Sequence, residues 1–161
     1  MKKPVPEPEQ PAGAASVSDR SLRSLHGYQI KRAFNVIQSD LNRTLKPFDL
    51  RMITYTALIL IVDNPGLRQS QLAEAMDIER PNLVVIVDEL ERRELIIRDR
   101  LPSDRRAYAL KATLAGRRLY EQAVAAVETH EQRLLRGINP DALRTAMKVM
   151  QLIEANRQQE A

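Results

Sequence analysis

Residues 69–93 read QSQLAEAMDIERPNLVVIVDELERR, and they carry two short helical patterns. The apolar spacing predicts one helix over about 69–76 and a second over about 80–93, separated by a short connection at 77–79. Asp77 opens this connection, and aspartate tolerates the left-handed backbone conformation that a tight turn requires. Two short helices at this separation are typical of a helix-turn-helix.

The second helix has one apolar face when its residues are placed at steps of about 100°. The predicted core stripe consists of Leu83, Ile86, Val87 and Leu90. Val85 lies at the centre of the opposite, otherwise polar face. It is either an ordinary surface valine or, in a helix-turn-helix, a contact for a thymine methyl group.

The first turn of the second helix supplies further candidate contacts to DNA. Arg80, Pro81 and Asn82 lie where such a helix enters the major groove. Asn82 can pair with adenine or a phosphate, and Arg80 can reach guanine or a phosphate. Asp88 and Glu89 would repel phosphates, so we expect the contact to end near Val85.

The pattern changes from helical to strand-like after Leu95. Residues 96–100 and 106–110 are compatible with strands, and the Pro, Ser and Asp within 101–105 favour a turn. Residues 92–111 hold seven basic and three acidic side chains, an excess equal to the net charge of +4 of the whole chain. This basic hairpin is either a site for a polyanion such as DNA or a solvated basic face.

The remaining chain predicts long helices on both sides of this segment. Residues 1–19 are rich in Pro, Glu and Gln and predict a disordered arm. A first helix is expected from Asp19 until Pro47, and a second over 50–62 with Asp49 as its N-cap. Thr113 is expected to cap a helix that runs to about residue 136, and a last helix follows Asn139. Such long terminal helices cannot bury their apolar stripes alone, which predicts a homodimer.

The composition excludes several classes of protein. The chain has no cysteine, only five glycines and two distant histidines, so we expect no metal, no cofactor and no enzyme active site. It contains no apolar run long enough to span a bilayer and no signal peptide pattern, so a cytoplasmic protein is expected.

Four short strings occur in a characteristic order: Leu72-Ala73-Glu74, the run 87–93, Asp104-Arg105-Arg106, and Leu110 followed by Thr113 and Gly116. Together they resemble the MarR family of bacterial regulators, and the likeness extends over about residues 20–156. The resemblance implies a mainly α fold with a small β-hairpin wing. A winged helix-turn-helix domain at 49–111 would be flanked by dimerisation helices at 20–48 and 112–158. Glycine is frequent in the family where Glu94 stands, so a backbone strain of roughly 1 kcal/mol is expected there.

The resemblance also implies roles for the wing and for a ligand. Asp104 would brace the wing and Arg106 would enter the minor groove, with Arg98 and Arg105 completing the basic set. Members often bind a small aromatic anion, and the run 78–84 is similar to a subgroup that responds to aromatic acids or their acyl-CoA thioesters. The candidate ligand residues are His26, Tyr28, Arg32, Asn35 and Arg43, with Phe34 expected in the core.

Three function classes therefore remain open on the sequence. The first is a repressor that binds a palindromic operator as a homodimer and is released by an anionic effector. The second is a DNA-binding protein without a ligand. The third is a helical interaction module whose basic hairpin binds an acidic protein. His26 and Tyr28 are equally acceptable as residues of a dimer interface.

Overall fold

The computed structural model describes residues 17–101 and 104–159, with side chains except at 101–107 and 157–159. Within these residues the chain forms six α-helices, one short 3-10 helix at Lys46–Phe48 and three strands. In chain order the elements are α1 (His26–Leu45), α2 (Met52–Asp63), β1 (Leu67–Arg68), α3 (Gln69–Ala75), α4 (Arg80–Arg92), β2 (Ile96–Leu101), β3 (Asp104–Ala112), α5 (Leu114–Leu134) and α6 (Pro140–Gln159). This is the predicted fold class, mainly helical with a β-hairpin after a helix-turn-helix.

By its internal contacts the chain divides into two units, residues 1–36 and 37–161, which are described one at a time. Of the arm predicted at 1–19, only 17–19 belong to the described residues. No helix in the described part of the chain is long and apolar enough to cross a membrane.

The first unit contains the beginning of α1, and the helix starts seven residues later than expected. Residues 20–24 form turns, in which the amides of Leu22 and Arg23 both donate to the carbonyl oxygen of Asp19, at 2.9 and 3.1 Å. The apolar period had suggested a helix here because Leu22 and Leu25 continue the spacing of α1. Phe34 was expected in the core but is 42% exposed among the described residues.

The second unit holds the core. Its largest fully buried side chains come from α1, α2, α3, α4 and the sheet, and include Leu45, Leu58, Ile61, Leu72, Leu83, Leu90, Ile96 and Leu110. The four residues predicted as the core stripe of α4 are all buried. Burial of one such side chain contributes roughly 1.5–3 kcal/mol, so this stripe fixes which face of α4 is left for a partner.

The start of α2 differs from the prediction. Asp49 does not cap this helix: it has a left-handed φ of 52° and ends the 3-10 helix. The helix begins instead after Arg51, whose amide donates to the hydroxyl of Thr54 at 2.9 Å. The side-chain oxygen of Asn42 on α1 accepts from the amide of Met52 at 2.7 Å, so the cap comes from another helix.

The strands form one antiparallel sheet in the order β1-β3-β2. β1 pairs Leu67 with Leu110 and was not predicted, because two residues are too few to show an alternating pattern. β2 and β3 form the expected hairpin, with an irregular register between Arg100 and Leu101. Of the turn predicted at 101–105, residues 102 and 103 lie outside the described part of the chain.

The junction between α4, the sheet and α5 is tightly packed. Glu94 has a left-handed φ of 56°, as does Asp77 at 49°, which confirms the left-handed turn expected at Asp77. Thr113 caps α5 as predicted, because its hydroxyl accepts from the amide of Gly116 at 3.0 Å. A Cβ atom on Gly116 would lie 2.0 Å from the carbonyl oxygen of Leu95, so this approach requires glycine.

The last two helices meet at Gly137, which has a φ of 82°. The side-chain oxygen of Asn139 accepts from the amide of Asp141 at 2.7 Å and caps α6, as expected. Much of the apolar surface of α6 is exposed, at Met147, Val149, Met150, Leu152 and Ile153.

Candidate nucleic-acid interface

The recognition face predicted on α4 is exposed. Arg80, Pro81 and Asn82 occupy the first turn and are all exposed. Val85, one turn further along, is 66% exposed although it is apolar. Because the buried stripe fixes the rotation of the helix, these side chains form a continuous outer surface at its N-terminal half.

The acidic residues of α4 are each paired with a cation from another element. Glu89 lies 2.7 Å from the guanidinium of Arg51, the residue that precedes α2. Asp88 and Glu91 both pair with Arg98 on β2, and the Glu91 contact measures 3.0 Å. The carboxylates beside the recognition face are thus partly neutralised within the chain, which reduces their repulsion of a polyanion.

Arg98 was predicted to contact DNA, and in the structure its guanidinium pairs with two carboxylates of α4. The side chain is only 21% exposed, and its Nε atom is buried without a hydrogen bond to the described residues. The two ion pairs hold β2 against the recognition helix. In this arrangement Arg98 positions the wing strand, and its contact with DNA stays a prediction.

Another arginine, which the sequence reading did not single out, anchors the end of α4. The guanidinium of Arg93 donates to the carbonyl oxygens of Asp49 at 2.5 Å and Phe48 at 3.0 Å. Both carbonyls lie at the C-terminal end of the 3-10 helix. Because the helical hydrogen bonds stop there, these oxygens are available to accept from Arg93. The contact joins residues more than forty positions apart, so no local pattern could have indicated it.

The wing is described in part. Lys111 on β3 lies 2.8 Å from the carboxylate of Asp99 on β2, across the hairpin. The backbone of Asp104, Arg105 and Arg106 belongs to β3, but their side chains lie outside what the structure describes. Their roles in bracing the wing and reading the minor groove therefore stay predictions.

In the first unit, two of the candidate ligand residues converge on one carboxylate. The Tyr28 hydroxyl donates to Oδ2 of Asp19 at 2.8 Å, and Arg32 donates to the same atom at 3.0 Å. Arg23 donates its Nε proton to Oδ1 at 2.8 Å. The hydrogen bonds from Arg23 and then Tyr28 hold the pKa of Asp19 below its usual range.

The other ligand candidates are distributed over both units. Arg32 and Asn35 line a shallow cavity of about 430 Å³ together with Gln29, Ala33 and Val36. His26 is exposed at the first residue of α1. Arg43 belongs to the second unit, where it pairs with Asp40 at 2.9 Å. The Asp40 carboxylate also lies 3.1 Å from Nδ1 of the buried His130.

Comparison with known proteins matches this architecture. A family model described as the MarR family matches residues 51–108. The transcriptional repressor CouR, bound to a 23-mer DNA duplex, has a TM-score of 0.81 and 33% identity, over 87% of this chain and 99% of that chain. CouR from Rhodococcus jostii RHA1, bound to p-coumaroyl-CoA, has a TM-score of 0.75 and 32% identity, over 84% and 95% of the two chains.

A third similarity covers a shorter stretch. A Thauera aromatica protein, described as a candidate transcriptional regulator for the hcr operon, is 47% identical over 74 residues. That match spans 46% of this chain and 42% of the relative's length. From the coverage of the CouR chains and the family match, this chain belongs to the MarR family of DNA-binding transcriptional regulators. The family resemblance expected from the sequence is therefore confirmed.

Proposed function

We propose that this protein is a cytoplasmic repressor that binds a palindromic operator as a homodimer and is released by a small anionic effector. The observation that carries the DNA-binding part is the exposed face of α4, with Arg80, Asn82 and Val85 beside carboxylates that other residues neutralise. A polar helix face with an apolar centre suits base edges and a thymine methyl group in the major groove.

The homodimer is supported by apolar surface that each unit leaves exposed. On α1 this surface contains Ile30, Phe34 and Ile37, and on α6 it contains Met147, Met150 and Ile153. Full burial of each such side chain gains roughly 1.5–3 kcal/mol. Burial of these six side chains in a dimer can therefore offset the loss of translational and rotational freedom on association, which costs on the order of 4–15 kcal/mol. A second copy also supplies the second recognition helix that a palindromic site needs, about 34 Å from the first.

The effector is proposed to be an aromatic acid or its acyl-CoA thioester. CouR, about a third identical to this chain, has been observed with p-coumaroyl-CoA. In this chain Tyr28 and Arg32 supply a hydroxyl and a guanidinium suited to an anionic ligand, and Arg32 also lines the cavity on α1. The effector would favour a distance between the two recognition helices that differs from the distance the operator requires. Effector binding then lowers the affinity for DNA, and DNA lowers the affinity for the effector by the same factor.

The test begins with selection of bound genomic DNA, followed by fluorescence anisotropy on the selected operator at fixed salt. We expect Arg80→Ala, Asn82→Ala and Arg106→Ala each to weaken binding roughly fivefold or more, in line with roughly 1–3 kcal/mol for a base contact. Arg144→Ala removes an exposed arginine on α6 and serves as the matched control. Unchanged affinity in all three site variants would reject this interface.

Two further measurements separate the remaining classes. Affinity should fall steeply with salt because bound phosphates release counterions, whereas a flat plot would favour an acidic protein partner. Sedimentation should give a dimer at micromolar concentration, and a monomer would reject the argument from the apolar faces. Release of the operator by p-coumaroyl-CoA, but not by coenzyme A alone, would separate a ligand-controlled regulator from one without a ligand.

A further inference from the structure

The carboxylate of Asp19 fills a cradle of hydrogen-bond donors in the first unit. Arg23 Nε reaches Oδ1 at 2.8 Å, while the Tyr28 hydroxyl and Arg32 Nη1 reach Oδ2 at 2.8 and 3.0 Å. Arg32 also lies over the Tyr28 ring, with its guanidinium carbon 5.9 Å from the ring centroid. Arg32 and Tyr28 thus contact each other as well as one carboxylate oxygen, and Arg23 binds the other oxygen.

Nothing in this geometry is particular to an aspartate side chain. Two guanidinium groups and a phenol hydroxyl offer the same donors to any carboxylate or phosphate oxygens, and arginine suits both because its donors form a planar fork. We propose that Arg23, Tyr28 and Arg32 form a binding site for the anionic group of a ligand, and that Asp19 occupies this site as an internal substitute until the ligand displaces it. This inference rests on the proposed anionic effector, and it adds that the Asp19 carboxylate competes with that effector for the site.

The exposure of the cradle makes such an exchange feasible. The side chains of Arg23 and Arg32 are each 49% exposed, and ion pairs at this exposure contribute little net stability because water competes for both partners. A ligand oxygen can therefore replace the aspartate at small cost. The position of Arg32 at the cavity with Gln29 and Val36 gives the remainder of a ligand a surface to contact.

Asp19 in this role is a competitor within the same chain. The apparent dissociation constant of the ligand equals its intrinsic value divided by the fraction of molecules in which Asp19 leaves the cradle free. The carboxylate is ionised at neutral pH, since the pKa of Asp19 is lowered by Arg23 and Tyr28. Removing its charge while keeping its shape should therefore strengthen ligand binding.

The experiment compares the full-length chain with Asp19→Asn, Arg32→Gln and the double variant. Asp63→Asn, at an exposed aspartate at the end of α2, is the control for loss of one negative charge. Inorganic phosphate is titrated at constant ionic strength while the Nε–H resonances of Arg23 and Arg32 are followed by NMR. The same proteins are then titrated with p-coumaroyl-CoA by calorimetry.

We expect Asp19→Asn to bind phosphate roughly two- to fivefold more tightly than the wild type, the range that a weak exposed ion pair can produce. Arg32→Gln should abolish that gain, and Asp63→Asn should leave the affinity unchanged. Equal affinity in Asp19→Asn and the wild type, or no saturation of the arginine signals in either, would overturn the proposal. Circular dichroism of each variant checks that α1 is intact.

The second probe separates this inference from the function on which it rests. If Asp19→Asn gains affinity for phosphate but no variant binds p-coumaroyl-CoA, the anion site stands and the effector class is wrong. If p-coumaroyl-CoA binds the wild type and Asp19→Asn equally, the effector stands and the competition by Asp19 is refuted.

Discussion

The guanidinium of Arg51, the residue before α2, lies 2.7 Å from the carboxylate of Glu89 on α4. Together with the pairing of Arg98 to Asp88 and Glu91, this contact assigns a cation to each acidic side chain in the second half of the recognition helix. The acidic residues therefore need not oppose DNA. They orient α4 through neighbouring elements while the N-terminal half of the helix remains free.

The first prediction concerns this neutralisation. Arg51→Gln leaves Glu89 unpaired beside the operator, and we expect operator affinity to fall roughly two- to tenfold. Glu89→Gln should raise it, and the double variant should return close to wild type, because the two changes together leave the net charge unaltered. A double variant as weak as Arg51→Gln alone, measured by anisotropy, would instead assign Arg51 a direct contact with DNA.

The second prediction concerns the close approach at Gly116. Gly116→Ala adds a Cβ atom that would lie 2.0 Å from the carbonyl oxygen of Leu95, so backbone must move. We expect unfolding in urea to require roughly 1–3 kcal/mol less, as for other overpacked sites. Gly27→Ala in α1 is the control, because its Cβ meets no atom within 4 Å. Equal stability of the two variants would contradict the packing described.

The third prediction concerns the left-handed backbone at Glu94. Glycine adopts the φ of 56° without the clash that a side chain introduces there. Glu94→Gly should therefore raise the free energy of unfolding by about 1 kcal/mol. Glu121→Gly in α5 should instead lower it by a similar amount, about 1 kcal/mol, because glycine is unfavourable within a helix. If both variants lose stability, the residue at 94 contributes more than its backbone.

The fourth prediction concerns the buried phenol of Tyr55 on α2. Burial raises the pKa of Tyr55, with smaller contributions from Tyr120, Glu128 and Glu131 on α5. A folded-state pKa above the unfolded value means that stability is complete below about pH 10 and declines as the pH rises through the folded pKa. Tyr55→Phe should lose less stability between neutral and strongly alkaline pH than the wild type. Identical declines in thermal melts would contradict this.

The fold was predictable where the spacing of apolar residues, or a residue at a helix end, determines the local structure. The stripe of α4 repeats over a whole helix, and Thr113, Gly137 and Asn139 mark helix ends by their own side chains or backbone, so these features were correctly expected. The start of α1 was not, because Leu22 and Leu25 keep the helical spacing through a segment that folds as turns. Asp49 was expected to cap α2, but the cap is supplied by Asn42 from another helix.

In the candidate site, too, some features follow from local helix geometry and others depend on tertiary contacts. Exposure of Val85 followed from its angle on the helix, whereas the partners of Arg93 and Arg98 depend on which elements the tertiary fold brings together. Arg98 was predicted as a contact to DNA from its charge in the hairpin, and that contact stays a prediction. Its neutralising partners lie on α4, ten and seven positions earlier in the chain.

The contact between Leu95 and Gly116 has a mechanical consequence. The Leu95 carbonyl also accepts from the amide of Thr113 at 3.0 Å, so the first turn of α5 is pressed directly onto the residue that joins the recognition helix to the hairpin. A side chain at position 116 would separate these two segments, because its Cβ atom would overlap the Leu95 carbonyl. Any rotation of α5 about its own axis would therefore act directly on the residue at the base of the hairpin.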